Sequence, residues 1–223
     1  MSYDALLLDF DGVLVDVLPD EHRLPAFREQ IAGELRNRSI GDAEMDDLAS
    51  TLAHGITFEE LAQLSEQTGL PPDDLWRARD DAIADVLDRA ARDGHKTPYD
   101  DVTTLSALEQ PVGVVSNNQT RVVESLSDHF GLADHFGAVR ARDPHPDSLK
   151  EKKPEPTFLR ETIRELGVEN PLFVGDKETD IQAGQRANLD TVLLRREHNA
   201  TRQIETEPTY EFDRLDAVVE LFR

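Results

Sequence analysis

Short, unbroken apolar runs recur along this chain, and most of them stop at small polar or acidic residues. The first is Ala5-Leu6-Leu7-Leu8, followed at once by Asp9-Phe10-Asp11-Gly12. Runs of this length without polar alternation suit strands buried on both faces, as in a parallel sheet. Pro111 to Val115 repeats the pattern and ends in Ser116-Asn117-Asn118. Phe136 to Arg140 is a weaker example, Pro171 to Val174 leads into Gly175-Asp176, and Thr191 to Leu194 is the fifth. A short strand is predicted at Tyr210-Glu211-Phe212. Helical spacing fills the gaps: Asp101 to Leu108, a segment ending at His129, Glu155 to Leu166, Thr179 to Asn188, and a terminal helix from Asp213. Strand and helix in alternation predict an α/β fold with a doubly wound parallel sheet, which binds ligands at the carboxyl ends of its strands.

Between Leu18 and about Gly94 the pattern is helical throughout. Leu24, Phe27, Ile31 and Leu35 share one face of a helix predicted over Asp20 to Asn37. Met45, Leu48, Ala49 and Leu52 follow the possible cap Asp42. Thr57, with Glu59 and Glu60 behind it, reads as the N-cap of a third helix closed by Gly69. Pro71-Pro72-Asp73-Asp74 opens the longest helix, whose core face carries Leu75, Trp76, Ala82, Ile83, Val86 and Leu87. The expected organisation is an α/β core of residues 1–16 and 97–223, with residues 17–96 inserted as an α-helical domain. Because the insertion leaves after the first strand and returns before the second, it is expected to cap the strand ends.

Composition narrows the chemistry. The net charge of −22 excludes nucleic acid and anionic membrane surfaces as natural partners, since both require a basic face. No apolar run reaches membrane-spanning length and no signal-peptide pattern opens the chain, so a cytoplasmic location is expected. Cysteine is absent, which removes disulfides, thiolate nucleophiles and Cys-based zinc sites. The seven histidines show no metal-ligand spacing, no G-x-G-x-x-G is present, and the glycosylation sequon at Asn199 carries no weight without a secretion signal. An acidic, lysine-poor surface suits a halophilic cytoplasm, where a Debye length of about 3 Å at molar salt screens self-repulsion; unfolding in dilute buffer is the expected signature. Only five lysines occur, Lys96, Lys150, Lys152, Lys153 and Lys177, and four of them lie between 150 and 177.

Asp9 and Asp11 stand two residues apart, a strand spacing that sends both to one side. Such a pair repels and calls for a metal, a lysine or both. Three further polar clusters lie at strand ends or helix starts: Ser116 with Asn117, Lys152 or Lys153, and Asp176 with Asp180. Taken singly, each has an ordinary reading as a helix cap or turn. In this order they are harder to dismiss.

Together Asp9-Phe10-Asp11-Gly12, Val114-Val115-Ser116-Asn117, Lys153-Pro154-Glu155-Pro156-Thr157-Phe158 and Gly175-Asp176-Lys177-Glu178-Thr179-Asp180 resemble the four motifs of the haloacid dehalogenase superfamily. The likeness is to its phosphohydrolases with an all-helical, C1-type cap, of the phosphoglycolate phosphatase-like kind, and it covers essentially the whole chain. The resemblance implies a Rossmann-like core and a Mg²⁺-dependent phosphatase acting on a small phosphorylated metabolite, as a monomer or small homo-oligomer. It implies that Asp9 is the nucleophile forming an aspartyl-phosphate and that Asp11 is the general acid and base. Mg²⁺ would be held by Asp9, the main-chain carbonyl of Asp11, and Asp176, with Asp180 supporting the metal shell. Ser116, Asn117 and Lys153 would bind the phosphoryl group, Lys153 being preferred to Lys152 because it directly precedes Pro154. Two residues depart from the family pattern: Val13 where threonine is frequent, and Lys177 where a small residue is commoner.

Related activities are weighed by the same motifs. A dehalogenase needs neither Asp11 nor the metal cluster, and a phosphonatase needs a Schiff-base lysine that the block from Leu18 to Gly94 lacks. A phosphomutase of the β-phosphoglucomutase type shares the motifs and stays open, and a non-catalytic binding protein on the same fold is the reading from another class. Phosphoglycolate, sugar and nucleotide monophosphates are not distinguished; His22, Arg23 and the turn at 54–58 are the candidates for facing the substrate.

Overall fold

The computed structural model describes residues 2–36 and 41–223, apart from the side chains of residues 42 and 43. The chain forms two compact units. One comprises Met1–Val17, Thr97–Arg142 and Glu151–Arg223; the other Leu18–Lys96 and Asp143–Lys150.

The first unit is built on a six-stranded parallel sheet in the order β3-β2-β1-β4-β5-β6. Its strands are β1 (Ala5–Leu8), β2 (Val112–Gln119), β3 (Phe136–Arg142), β4 (Pro171–Gly175), β5 (Thr191–Leu194) and β6 (Tyr210–Phe212). β1 is central and all four of its residues are buried, as its uninterrupted apolar run requires. Leu7 pairs with Gly113 on one side and Phe173 on the other. Beneath them α6 (Thr157–Leu166) and α7 (Glu178–Arg186) close a core of Leu7, Val115, Phe158, Leu159, Phe173 and Ala183. A side chain at Gly113 would put its Cβ 2.5 Å from Thr162 Cγ2 and 2.8 Å from Leu7 Cδ2, so this strand is glycine where α6 crosses it.

Several expected boundaries shift for local reasons. β2 runs on to Gln119, because the pairing moves from Val115–Arg140 to Gln119–Arg142 and leaves 116–118 in a bulge. Bulges re-aim side chains, and here the polar residues are displaced from the ladder. Asp100–Ala107 forms 3₁₀ turns rather than the expected helix. β-Branched Val102, Thr103 and Thr104 weaken a helix there, and Asp101 is drawn inward by Arg196. That guanidinium donates to both Asp101 carboxylate oxygens at 2.7 and 2.9 Å and to the Val13 carbonyl at 3.0 Å, with the Leu215 amide completing the brace at 2.7 Å. α5 (Thr120–His129) and α8 (Leu215–Val219) complete the unit.

The second unit contains α1 (Asp20–Leu35), α2 (Asp42–Ala53), α3 (Phe58–Thr68) and α4 (Pro72–Arg92). Phe27, Ile31 and Leu35 are buried on α1 as their spacing predicts, while Leu24 is only half-buried. Asn37, the expected end of that helix, lies outside the described residues, as does the side chain of Asp42; Gly41 occupies the N-cap of α2. The Thr57 cap forms as read: its hydroxyl accepts from the Glu60 amide at 3.2 Å and the Glu60 carboxylate accepts from the Thr57 amide at 2.7 Å. Gly69 ends α3 at φ 70°. The segment 143–150, expected to belong with the α/β core, groups instead with these helices. Its Lys150 ammonium lies 3.8 Å from the Phe58 ring centre. Among the described residues, no helix is long and apolar enough to cross a membrane.

Candidate active site

β1 and β4 are parallel neighbours, so the chain leaves both at the same edge of the sheet; the Asp9 amide continues the ladder by donating to the Val174 carbonyl at 2.9 Å. Asp9 is buried there, and its Oδ1 accepts the Phe10 amide at 2.7 Å. The Lys153 ammonium, also buried, lies 2.8 Å from Asp9 Oδ1 and 2.8 Å from Asp180 Oδ1, and donates to the Val115 carbonyl at 2.9 Å. The ammonium thus has three oxygen neighbours, two of them carboxylate. Burial pushes against the ammonium, yet Asp180 and Asp9 outweigh it and raise the Lys153 pKa. Burial raises the Asp9 carboxyl to about 7, with Asp180 and Asp176 reinforcing it against the pull of Lys153 and Lys177. Burial, with the neighbouring acids behind it, lets Asp9 keep its proton almost to neutrality unless another cation arrives.

Asn117 positions this lysine. Its Oδ1 accepts the Lys153 amide at 2.7 Å and its Nδ2 donates to the Lys153 carbonyl at 2.9 Å, a reciprocal pair across 36 residues of sequence. Most of the Asn117 amide is therefore spent on the lysine backbone, where the resemblance implied a phosphate donor; one N–H remains. Ser116 is buried and its oxygen accepts the Asn118 amide at 3.1 Å, which leaves the hydroxyl proton to donate. Asn118 in turn donates to Asp11 Oδ2 at 2.8 Å. The two acids of the first motif are thus held by different partners, Asp9 by an ammonium and half-buried Asp11 by a neutral amide.

Asp176 leaves the end of β4 under a second set of constraints. Asp180 Oδ2 accepts the amides of Asp176 and Lys177 at 3.1 and 3.0 Å, tying the turn to the first turn of α7. His198 Nε2 donates to Asp176 Oδ2 at 2.7 Å, and Asn199 Nδ2 donates to the Asp176 carbonyl at 2.8 Å. Burial raises the Asp176 pKa, but the His198 hydrogen bond, Lys177 and Lys153 together bring it below the usual carboxylate range. Gly12 makes this packing possible. At φ 92° it takes a conformation unfavourable to other residues, and a Cβ there would collide with the Asp176 carboxylate.

The donor set fits a small divalent cation. One carboxylate oxygen each from Asp9, Asp176 and Asp180 lies within 4.8 Å of the others. Asp176 Oδ1 is buried and accepts no hydrogen bond among the described residues, the condition of an oxygen facing an ion. Carboxylates are hard ligands suited to such a cation.

Of the residues singled out from sequence, Asp9, Lys153, Asp176 and Asp180 converge directly, Asn117 joins them through the Lys153 backbone, and Ser116 links to Asp11 through Asn118. Asn118, His198 and Asn199 were not anticipated. The histidine and its neighbour follow β5, and the rule that ligands gather at the carboxyl ends of such strands pointed to that loop.

Comparison with known proteins identifies the family of the chain. The family described as haloacid dehalogenase-like hydrolase matches residues 3–188. The phosphoglycolate phosphatase of Rhodobacter capsulatus is 29% identical over 195 residues, covering 85% of this chain and 83% of its own. That of Shigella boydii serotype 4 is 30% identical over 213 residues, covering 85% and 80%. Among solved structures, CbbY from Rhodobacter sphaeroides in complex with phosphate has a TM-score of 0.66 at 18% identity, covering 97% of this chain and 96% of that one, a likeness of fold.

Proposed function

Because the chain belongs to the haloacid dehalogenase-like hydrolase family and is an enzyme of its phosphatase kind, we propose that it hydrolyses a small phosphate monoester with Asp9 as nucleophile. The observation that carries this reading is the separation of the two acids: Asp9 held at 2.8 Å by the Lys153 ammonium, Asp11 held at 2.8 Å by the Asn118 amide. Burial keeps Asp9 protonated almost to neutrality until a second cation joins Lys153 and favours its ionised form, while Asp11 accepts from a neutral amide; two acids so differently placed can divide the labour that this chemistry needs. Phosphoglycolate is the first candidate substrate, being the one named for the relatives.

In the first step an Asp9 oxygen bonds to phosphorus, the bond to the alcohol oxygen breaks, and Asp11 gives that oxygen its proton. In the second, water attacks the aspartyl-phosphate, Asp11 recovers a proton from it, and Asp9 and inorganic phosphate separate. Dividing one displacement into two lowers the barrier to each. The Ser116 hydroxyl and the remaining Asn117 N–H donate to the phosphoryl oxygens. Lys153, set among the Asp9, Asp180 and Val115 oxygens, acts on them through its charge. Asp9, the Asp11 carbonyl and Asp176, with Asp180 in support, would hold Mg²⁺, which would supply charge neutralisation at the phosphoryl group. The acidic, lysine-poor surface supports work on a small metabolite in a salt-rich cytoplasm rather than at nucleic acid or membrane.

The test is phosphate release over a panel of monophosphates, phosphoglycolate included, with Mg²⁺ in molar KCl. Release is expected for the wild type and should fall to background in Asp9→Asn. Undiminished release by that variant would overturn the nucleophile assignment, and isomerisation of a hexose phosphate without release would overturn the hydrolase reading.

A further inference from the structure

Lys177 is one of only five lysines in a chain of net charge −22, and it occupies the N-cap position of α7. A cation at a helix N-terminus opposes the helix dipole, so its placement needs another cause. The acids supply it. The Lys177 ammonium lies 3.3 Å from Asp176 Oδ1, at the edge of the cluster that Asp176 forms with Asp9 and Asp180. The two oxygens of Asp176 are used differently: Oδ2 is fixed by His198 at 2.7 Å, whereas Oδ1 is buried, accepts no hydrogen bond among the described residues, and has the ammonium beside it. The Lys177 side chain is 41% exposed, so it reaches the cluster from the solvent side and has room to withdraw.

We propose that Lys177 is an internal counter-ion of the acid cluster, which a divalent cation must displace from Asp176 Oδ1. In the metal-free protein the ammonium offsets the repulsion among Asp9, Asp176 and Asp180. On metal binding it gives up that oxygen and swings outward. The chain thereby exchanges metal affinity for a metal-free state that stays folded. Lys153 cannot take this part, because it is buried among three oxygen partners.

This inference rests on the metal reading of the site, and its test needs no turnover. Mn²⁺ binding is measured by electron paramagnetic resonance and calorimetry on wild type, Lys177→Met and Lys177→Arg, alongside thermal unfolding in EDTA and in Mg²⁺. Removing the charge is expected to tighten Mn²⁺ binding about tenfold and to lower the unfolding temperature in EDTA, with Mg²⁺ restoring it; the arginine variant keeps wild-type behaviour. Unchanged or weaker Mn²⁺ binding in Lys177→Met overturns the inference and leaves the metal site standing. A raised KM at unchanged metal affinity also overturns it, by making Lys177 a substrate contact. Absence of Mn²⁺ binding in the wild type removes the metal reading itself, and the inference with it.

Discussion

Replacing Lys153 by methionine removes a buried ammonium while keeping most of the side-chain volume. The ammonium is 2.8 Å from Asp9, 2.8 Å from Asp180 and 2.9 Å from the Val115 carbonyl, so its loss strands two buried carboxylates and one carbonyl. Breaking one side of a buried ion pair costs about 3–5 kcal/mol, because the remaining charge is neither solvated nor compensated. For a chain of this size each kcal/mol moves the unfolding temperature by about 2–4 °C, so Lys153→Met should melt roughly 6–20 °C below the wild type in EDTA at neutral pH and molar KCl. The stranded charges, rather than lost packing, make the difference. Adding Asp180→Asn to Lys153→Met removes one of them, so the double variant should be less damaged than the sum of the singles, with a coupling of about 1–3 kcal/mol. Thermal unfolding of the four proteins measures the cycle. A Lys153→Met protein melting within about 2 °C of the wild type, or strictly additive losses, would refute the account of the cluster.

Two further outcomes follow from neighbouring contacts. Asp9, raised to about 7 when folded, binds a proton that the unfolded chain has released near pH 4; its favourable contribution is therefore complete below about pH 4 and lost as pH rises through about 7. Metal-free protein in molar KCl should lose stability between about pH 4 and pH 7, Asp9→Asn should flatten that slope, and a slope unchanged in the variant would contradict the assignment. Asn117→Ala breaks the reciprocal pair with the Lys153 backbone; it should cost about 1–3 kcal/mol in urea unfolding and depress kcat more than tenfold, while full activity would show that the lysine positions itself.

Much of the fold was legible because buried parallel strands announce themselves as unbroken apolar runs; β1, β4 and β5 begin and end within a residue or two of their predicted limits. The acids and the lysine of the site were legible for a related reason, since charged groups directly after such runs are costly unless used. What escaped was everything decided by a partner far along the chain. The 3₁₀ conformation of Asp100–Ala107 follows from a guanidinium 95 residues away, and His198 shows its purpose only when Asp176, 22 residues earlier, is found beside it. Lys150 is a different case. It belongs to the lysine cluster in sequence, yet its charge is spent on Asp147 at 2.7 Å and on the Phe58 ring in the helical unit.

The loop after β5 bears on how far the chain must run past its recognisable motifs. The family match stops at residue 188, beyond the last recognisable motif but before Arg196, His198 and Asn199. A gene fragment ending there would pass any motif inventory. It would nevertheless lack the imidazole on one Asp176 oxygen, the amide on its carbonyl, and the guanidinium that joins Asp101 to Val13. For truncation, circular permutation or fusion, the indispensable boundary is thus drawn by unremarkable residues near the carboxyl terminus, and a tag or junction is better placed after α8 than anywhere between β4 and β6.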